Sequence, residues 1–373
     1  MTASKSLYAR FYGPEIFLEQ GRLLFSLLHA FASSGYRIAL HPDLGDKPLE
    51  KYGQMIHGLA GLDLTERPPH DTGSALYLYD RPDAALARLP WSKRVEVRFD
   101  LFSPFWGSDP IIMPFPMHPM QSGLERDRLL ALRASERKMR IFFSGDTEHY
   151  RRVWVRYPTT KLPREPIVKA VIQRLGEALI LVEDGSELRR LRDGPYLKRM
   201  VLTASSQVRV EFEDWMPTLA QADFFLSPPG IVMPMCHNII EAMAVGTIPI
   251  TNYPEWLDPP LQPGINCLAF DTQDDLISVI DQALAMRSEE ITAMRERVVD
   301  YYERRLRPDR FIVRVEAHPG PVVPILMYTE RNMALNAKRL GRHSILIQGT
   351  SRPRPRGLWR RLAAVYWRAN RDD

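Results

Sequence analysis

Residues 222–253 constrain the fold more than any other part of this chain. They begin with an apolar run of strand length, and the sequence SPPG after it breaks regular structure. Helical periodicity follows over residues 236–245, with Gly246 where a helix C-terminal cap is expected and a second apolar run behind it. This order predicts a βαβ unit in a parallel sheet, where ligands bind beyond the carboxyl ends of the strands. The sequence therefore predicts a ligand site in the loop of residues 227–237.

Two polar residues of the predicted helix are candidates for that site. His237 and Glu241 are four residues apart, so they share one face of the helix. A helix N-terminus carries partial positive charge and N–H groups that suit a phosphate, and Glu241 could accept hydrogen bonds from sugar hydroxyls. The same spacing is equally typical of a solvated His–Glu pair, and spacing alone does not separate the two interpretations.

The composition is that of a soluble globular protein, since 45% of the 373 residues are hydrophobic and 25% are charged. A chain of this length is expected to form roughly two domains. The net charge of +5 fits an anionic small substrate or an anionic membrane surface. No zinc knuckle, helix-turn-helix or aromatic RNA-binding pattern accompanies the charge, so we expect no nucleic-acid partner.

Cysteine content and apolar patterning indicate a cytoplasmic location. Cys236 and Cys267 are the two cysteines, and their spacing is unlike any metal motif. So few cysteines are typical of a reducing compartment, although a disulfide between them stays open. The first residues do not have the pattern of a signal peptide. No stretch reaches the ~18 apolar residues that span a bilayer.

Alternating helical and strand patterns predict an α/β fold of two Rossmann-like domains with parallel sheets. In the first series we predict a helix over residues 14–33 and strands at residues 36–40, 74–79, 94–99 and 111–115. In the second we predict strands at residues 140–143, 179–183, 207–212, 223–227, 247–251 and 267–270, and helices at 166–175, 236–245 and 274–286. Further on, strands at 313–316 and 322–326 and a helix at 329–340 are predicted.

A charged helical pattern over residues 124–138 marks the predicted boundary, which gives domains at 1–136 and 137–310 and an extension at 311–373. Residues 352–371 of the extension are basic and rich in tryptophan, with apolar positions on one helical face. That pattern fits the inner face of an anionic membrane, where the protein would be peripheral. A solvated tail, or a helix packed on the protein itself, fits the composition as well.

The pattern FFLSPPG followed by HNIIEAMAVGTIPI resembles nucleotide-sugar glycosyltransferases of the GT-B architecture. The exostosin-type and related polysaccharide transferases are the most similar group, and IFFSG ahead of a tyrosine resembles the opening of their donor domain. The resemblance extends over residues 140–285. It implies two facing Rossmann-like domains, with an acceptor-side N-terminal domain and a C-terminal domain that binds a nucleotide-diphosphate sugar.

The resemblance also implies roles for individual residues. Glu241 would bind ribose or sugar hydroxyls. The residues expected near the diphosphate are Ser144, Gly145 and His149 in one loop, and Pro229, Gly230, His237 and Asn238 around the helix start. A cationic stretch follows the first loop, of which at least one member would neutralise the leaving diphosphate. It contains Arg151, Arg152, Arg156, Lys161 and Arg164.

The chemistry expected of such a site is an inverting, metal-independent transfer. Many retaining relatives have two glutamates eight residues apart, whereas Met233 stands eight residues before Glu241 here. The chain has no convincing D-x-D in a strand-end loop, so cations and a helix N-terminus would stabilise the leaving group. We therefore expect no metal and no cofactor.

The catalytic base is expected in the first domain. Asp100 follows a predicted strand, and His118 lies in the proline-rich loop MPFPMHPM with an imidazole suited to proton abstraction near neutral pH. Asp109 and Asp80 are further candidates. His118 is also compatible with a packed loop position, which the sequence favours.

The leading hypothesis is a hexosyltransferase-type enzyme that moves a sugar to a glycan or lipid-linked acceptor in surface polysaccharide biosynthesis. A nucleotide-sugar 2-epimerase of the same architecture is an alternative. A non-catalytic carbohydrate-binding protein is another.

Overall fold

The computed structural model describes residues 5–43, 52–101, 110–146, 162–230 and 233–336. These residues form two compact units. The first unit contains the chain up to Ser122 together with Arg307–Asn332. The second unit contains Gly123–Leu306 and the few described residues after 332.

The strands and helices alternate along most of the chain. The strands are β1 (Lys5–Arg10), β2 (Tyr36–Leu40), β3 (Leu62–Leu64), β4 (Ala75–Tyr79), β5 (Lys93–Arg98), β6 (Ile111–Ile112), β7 (Met139–Gly145), β8 (Leu179–Val182), β9 (Leu197–Ala204), β10 (Ala222–Ser227), β11 (Ile248–Thr251), β12 (Leu268–Ala269) and β13 (Val322–Leu326). The helices are α1 (Arg22–Ser33), α2 (Gly53–His57), α3 (Pro119–Ser122), α4 (Arg126–Arg133), α5 (Arg164–Arg174), α6 (Gly185–Asp193), α7 (Phe212–Ala220), α8 (His237–Ala244), α9 (Gln273–Ala285), α10 (Ser288–Tyr301), α11 (Pro308–Ala317) and α12 (Glu330–Asn336). A π-helical turn, Tyr302–Leu306, continues α10.

Each unit is built on one parallel sheet. The first sheet has the order β3-β2-β1-β4-β5-β13-β6 and the second β12-β11-β10-β7-β9-β8. Every strand pair described in both sheets is parallel. The predicted fold class, two α/β units with parallel sheets, is therefore confirmed.

Both faces of the first sheet are covered by apolar side chains. On one face Leu7 of β1 belongs to a large core that includes Phe311 of α11. On the other face Tyr8, Tyr77 and Trp91 stack, with 5.1 Å between the ring centroids of the last two. Consecutive residues of β1 thus enter different cores, which explains why these strands read as continuous apolar runs.

The second unit is held together at the amino ends of its strands by Arg137. Its guanidinium donates to the carbonyl oxygens of Ala222 at 3.0 Å and Val245 at 3.2 Å, and to that of Ala220. It also lies 3.3 Å from the hydroxyl of Thr247. These acceptors join α7, β10 and the C-terminal end of α8, so this cluster fixes the opposite end of the helix from the predicted ligand loop.

The predicted helix over residues 14–33 is correct only in its second half. Glu19 and Gln20 have φ angles of 57° and 61°, and Gly21 follows at 83°. Left-handed backbone costs non-glycine residues roughly 1–2 kcal/mol each, and here it falls in the second of two short 3₁₀ turns that precede α1. The carboxylate of Glu19 accepts from the Arg22 side chain and from the backbone N–H of Glu330 at 3.2 Å, which anchors the bend.

Two predicted strands were wrong. Residues 207–212 alternate like a strand, but β9 lies earlier in the sequence and occupies the place beside β7. Residues 313–316 lie in α11, which begins with Pro308 in its first turn and buries Phe311, Ile312 and Val315. The strand predicted at residues 322–326 does form, and it inserts between β5 and β6 in the first sheet.

Candidate functional site

The carboxyl ends of β7, β10 and β11 meet at one edge of the second sheet, because these strands are parallel neighbours. The chain reverses its direction across the sheet between β7 and β10, which is where ligands of open α/β sheets bind. Ser144 and Gly145 end β7, and Pro229 and Gly230 follow β10. The sequence prediction that these loops share one edge agrees with the strand order.

Among the described residues, Arg164 is a cation that lies at this edge. It is the first residue of α5, and only 7% of it is exposed. Its Nη1 donates to the carbonyl oxygen of Asp146 at 3.4 Å. The same nitrogen lies 3.4 Å from the point where a Cβ of Gly145 would stand. The guanidinium therefore packs directly against the backbone at the end of β7.

The loop after β10 depends on glycine at position 230. The backbone N–H of Gly230 donates to the carbonyl oxygen of Pro234 at 3.0 Å, which closes the loop before α8. A Cβ on Gly230 would lie 2.6 Å from the carbonyl oxygen of Met233 and 3.2 Å from that of Met235. Because those are backbone atoms, a side chain at this position would force the loop to move.

The start of α8 is accessible, but Glu241 is not. His237 and Asn238 are half-buried, whereas Glu241 has 0% exposure. The Nε1–H of Trp215 on α7 donates to Oε2 of Glu241 at 2.6 Å. The interpretation of Glu241 as part of a solvated surface pair is therefore wrong. A carboxylate accepts more than one hydrogen bond, so contact of Glu241 with a ligand stays a prediction.

Buried polar groups surround the first turn of α8. The hydroxyls of Tyr253 and Ser227 are 2.7 Å apart and fully enclosed. Burial raises the pKa of the Cys236 thiol, the Arg164 guanidinium opposes that rise, and the Glu241 carboxylate adds to it. Burial likewise raises the pKa of Tyr253 well above its ordinary value. Arg164 and Glu241 thus act on the same thiol at the helix start.

The candidate bases of the first unit are engaged in local contacts. Oδ2 of Asp100 accepts from Arg98 Nε at 3.0 Å and Nη2 at 2.6 Å. Nδ1 of His118 accepts from the backbone N–H of Met120 at 3.4 Å, and its Nε2 lies 3.3 Å from the Tyr52 hydroxyl. With Nδ1 as acceptor, a neutral ring carries its proton on Nε2. His118 would have to give up one of these contacts to remove a substrate proton.

Asp80 serves the backbone of the first unit. Its two carboxylate oxygens accept from the N–H groups of Tyr12 at 2.8 Å and Gly13 at 2.6 Å, just after β1. This carboxylate shapes the turn after β1, and a catalytic role for Asp80 stays a prediction.

Several predicted residues lie outside the described part of the chain. They are His149, Arg151, Arg152, Arg156, Lys161 and Asp109. Their roles stay predictions, as does membrane contact through residues 352–371.

Three further observations bear on ligands. Among the described residues, no group of three or more His, Cys, Asp or Glu side chains is arranged to hold a metal ion. Both cysteines are free thiols, so the disulfide left open by the sequence does not form. None of the described helices combines the length and apolar character needed to cross a membrane.

A surface cavity of about 790 Å³ lies elsewhere in the second unit. It is lined by α9, α10 and the loop before β12, including Ile265, Met286, Arg297 and Tyr301. No residue of the carboxyl edge contributes to it. The cavity is open and its lining carries charges of both signs, whereas the carboxyl edge has a buried arginine. The carboxyl edge is therefore the better candidate for an anionic ligand.

Sequence comparison identifies no relative. No family model matches the chain. No curated protein matches it either.

The backbone of this chain is weakly similar to solved structures of several glycosyltransferases. HepE from Anabaena, crystallised with UDP and glucose, is 10% identical with a TM-score of 0.40, over 84% of this chain and 99% of its own. A glycosyltransferase from Rickettsia africae is 8% identical with a TM-score of 0.45, over 85% and 97%. WaaG, a glycosyltransferase involved in lipopolysaccharide biosynthesis, is 12% identical with a TM-score of 0.35, over 84% and 100%. At these scores the similarities do not define a family for this chain.

Proposed function

We propose that this protein is a glycosyltransferase that binds a nucleotide-diphosphate sugar at the carboxyl edge of the second sheet. The observation that carries the proposal is the buried Arg164 guanidinium against Gly145, at the edge from which α8 starts. A guanidinium has five N–H donors and binds phosphate oxygens through charge-assisted hydrogen bonds. A diphosphate could accept such a bond from Arg164, and the glycine lets it approach the backbone.

The transfer itself is an inverting single displacement onto a hydroxyl of a glycan or lipid-linked acceptor. The acceptor oxygen bonds to the anomeric carbon while the bond from that carbon to the diphosphate oxygen breaks. The diphosphate leaves with the electron pair, and Arg164 stabilises its charge. The acceptor proton goes to a base, for which Asp100 and His118 are the candidates. No step requires a metal ion or another cofactor.

The motif HNIIEAMAVG supports the donor class, because it places Asn238 and His237 on the accessible first turn of α8. Donor hydroxyls and phosphate oxygens could both be reached from that turn. The protein would act in surface polysaccharide biosynthesis, on the inner face of the membrane if its basic tail binds anionic lipid.

The test is a panel of UDP-, GDP- and TDP-sugars screened by thermal shift, followed by titration of the best ligand. We expect Arg164→Gln to weaken its binding roughly 10- to 100-fold, since a charge-assisted hydrogen bond contributes about 1.5–3 kcal/mol. The control is Arg174→Gln at the far end of α5, where the arginine is exposed and paired with Asp274 at 2.6 Å. Equal affinity for both variants, or no stabilising nucleotide sugar, contradicts the proposal.

Product analysis separates transfer from its alternatives. A transferase releases nucleoside diphosphate at a rate that depends on added acceptor, whereas a 2-epimerase converts the donor without one. A binding protein shows a thermal shift and no turnover.

A further inference from the structure

The carboxylate of Glu241 accepts a hydrogen bond from the neighbouring helix α7. Glu241 is completely buried, and Trp215 Nε1 lies 2.6 Å from its Oε2. A short N–H···O contact to a carboxylate is of the stronger, charge-assisted type. The bond links α7 to the second turn of α8, and the first turn of the same helix presents His237 and Asn238.

The direction of that N–H is set by the strands beneath it. The Trp215 ring lies 6.4 Å from the ring of Phe142 on β7, at an interplanar angle of 52°. It lies 6.1 Å from Phe225 on β10, at 88°. Both strands end at the proposed donor site. Packing of the Trp215 ring on these strands therefore fixes the position of the Glu241 carboxylate relative to the edge where the donor would lie.

We propose that Trp215 is a positioning residue, whose indole N–H orients the Glu241 carboxylate toward hydroxyls of the bound donor. This inference rests on the proposed function and adds a residue to which the sequence assigned no role. The competing explanation is that the ring only fills space between α7 and the sheet.

Other ionisable groups also face this carboxylate. Cys236 precedes α8 and interacts electrostatically with Glu241 and Arg164. His237 lies one turn earlier on the same helix. On α7, Asp214 is paired with Arg192 at 3.0 Å, which directs its charge elsewhere. Removal of the indole N–H therefore takes a hydrogen-bond donor from the Glu241 carboxyl group without altering these groups.

The first experiment requires no donor. In protein labelled with ¹⁵N-tryptophan, the indole resonance that disappears in Trp215→Phe is assigned to Trp215. We expect this resonance to move upfield in Glu241→Gln, because a neutral amide accepts more weakly than a carboxylate. An unchanged resonance overturns the hydrogen bond and the inference with it.

The second experiment measures turnover of UDP-glucose, or of the panel member that gives the largest thermal shift, over a range of donor concentrations. In Trp215→Phe we expect KM for the donor to rise about tenfold with little change in kcat, because the Glu241 carboxylate would contact donor hydroxyls and not the reacting atoms. The control Phe225→Leu disturbs the same ring packing without touching the N–H, so it should lower Tm and leave KM for the donor in place. The same KM in wild type and Trp215→Phe contradicts positioning.

The results of the two experiments distinguish failure of this inference from failure of the proposed function. If no nucleotide sugar binds or turns over, the proposed function is wrong, while the indole resonance still reports the contact. If the donor is turned over and Trp215→Phe behaves like Phe225→Leu, the function stands and Trp215 is a packing residue.

Discussion

Two buried threonines of the second unit should respond in opposite directions to the same substitution. Thr203 and Thr247 both have 0% exposure. The hydroxyl of Thr247 donates to the carbonyl oxygen of Leu219 at 2.6 Å and lies 3.3 Å from Arg137 Nη1. The hydroxyl of Thr203, beside Ser144 in the sheet register, has no hydrogen-bond partner among the described residues.

The free energies follow from that difference. A buried polar group without a partner costs roughly 1–3 kcal/mol, whereas an apolar group of the same shape is neutral or stabilising there. Thr203→Val should therefore stabilise the second unit by about 1 kcal/mol. Thr247→Val should destabilise it by about 2 kcal/mol, because it removes one bond and takes an acceptor from a buried arginine.

Scanning calorimetry on the ligand-free protein measures both changes. For a unit of this size each kcal/mol moves Tm by roughly 2–4 °C. We expect the transition of the second unit to rise by about 2–4 °C in Thr203→Val and to fall by about 4–8 °C in Thr247→Val. A fall in Tm for both variants would refute the assignment of Thr203 as an unpaired buried hydroxyl.

Three further predictions concern a loop, a titration and the tail. Gly230→Ala places a Cβ 2.6 Å from the carbonyl oxygen of Met233, so we expect weaker nucleotide-sugar binding by calorimetric titration; unchanged affinity contradicts a rigid loop. Burial alone would raise the pKa of Glu316, but hydrogen bonds from Lys5 and a neighbouring tyrosine outweigh it and lower the pKa. Ionised Glu316 therefore stabilises the folded state fully above the pKa of an unfolded glutamate, about 4.3. This stabilisation is lost as pH falls through the lower pKa of the folded state. Glu316→Gln should therefore make acid unfolding, followed by circular dichroism, less dependent on pH. Deletion of residues 352–373 should preserve activity in solution and reduce sedimentation with anionic liposomes, and equal recovery of both forms contradicts the membrane role.

The parts of the fold that the sequence predicts well are those with a local cause. The order β10, α8, β11 is predicted by an apolar run, a break at SPPG, a helical stripe and Gly246. Gly246 has a φ of +76°, which requires a residue tolerant of left-handed backbone. Each of these signals spans a few residues. Short-range rules were therefore sufficient to find the edge where the candidate site lies.

The parts that it misses depend on distant partners. Residues 207–212 alternate as a strand should, yet β9 has already paired with β7. The strand β13 joins β5 from far along the chain. No local pattern specifies either pairing, because register is decided by neighbours in space.

The candidate site divides in the same way. Gly145, Gly230 and His237 follow from loop and helix positions. The burial of Arg164 and the bond between Trp215 and Glu241 do not, since they depend on how α5 and α7 pack against the sheet. The approach of a tryptophan N–H to a buried acid depends on tertiary packing, and the spacing of residues along the chain does not predict it.

The most direct test of the donor site is a crystal structure of the protein with UDP-glucose, or with the nucleotide sugar that stabilises it most. We predict that the diphosphate lies within hydrogen-bond distance of Arg164, at the carboxyl end of β7 and beside the first turn of α8. A ligand bound instead in the cavity between α9 and α10, with Arg164 untouched, would contradict the account.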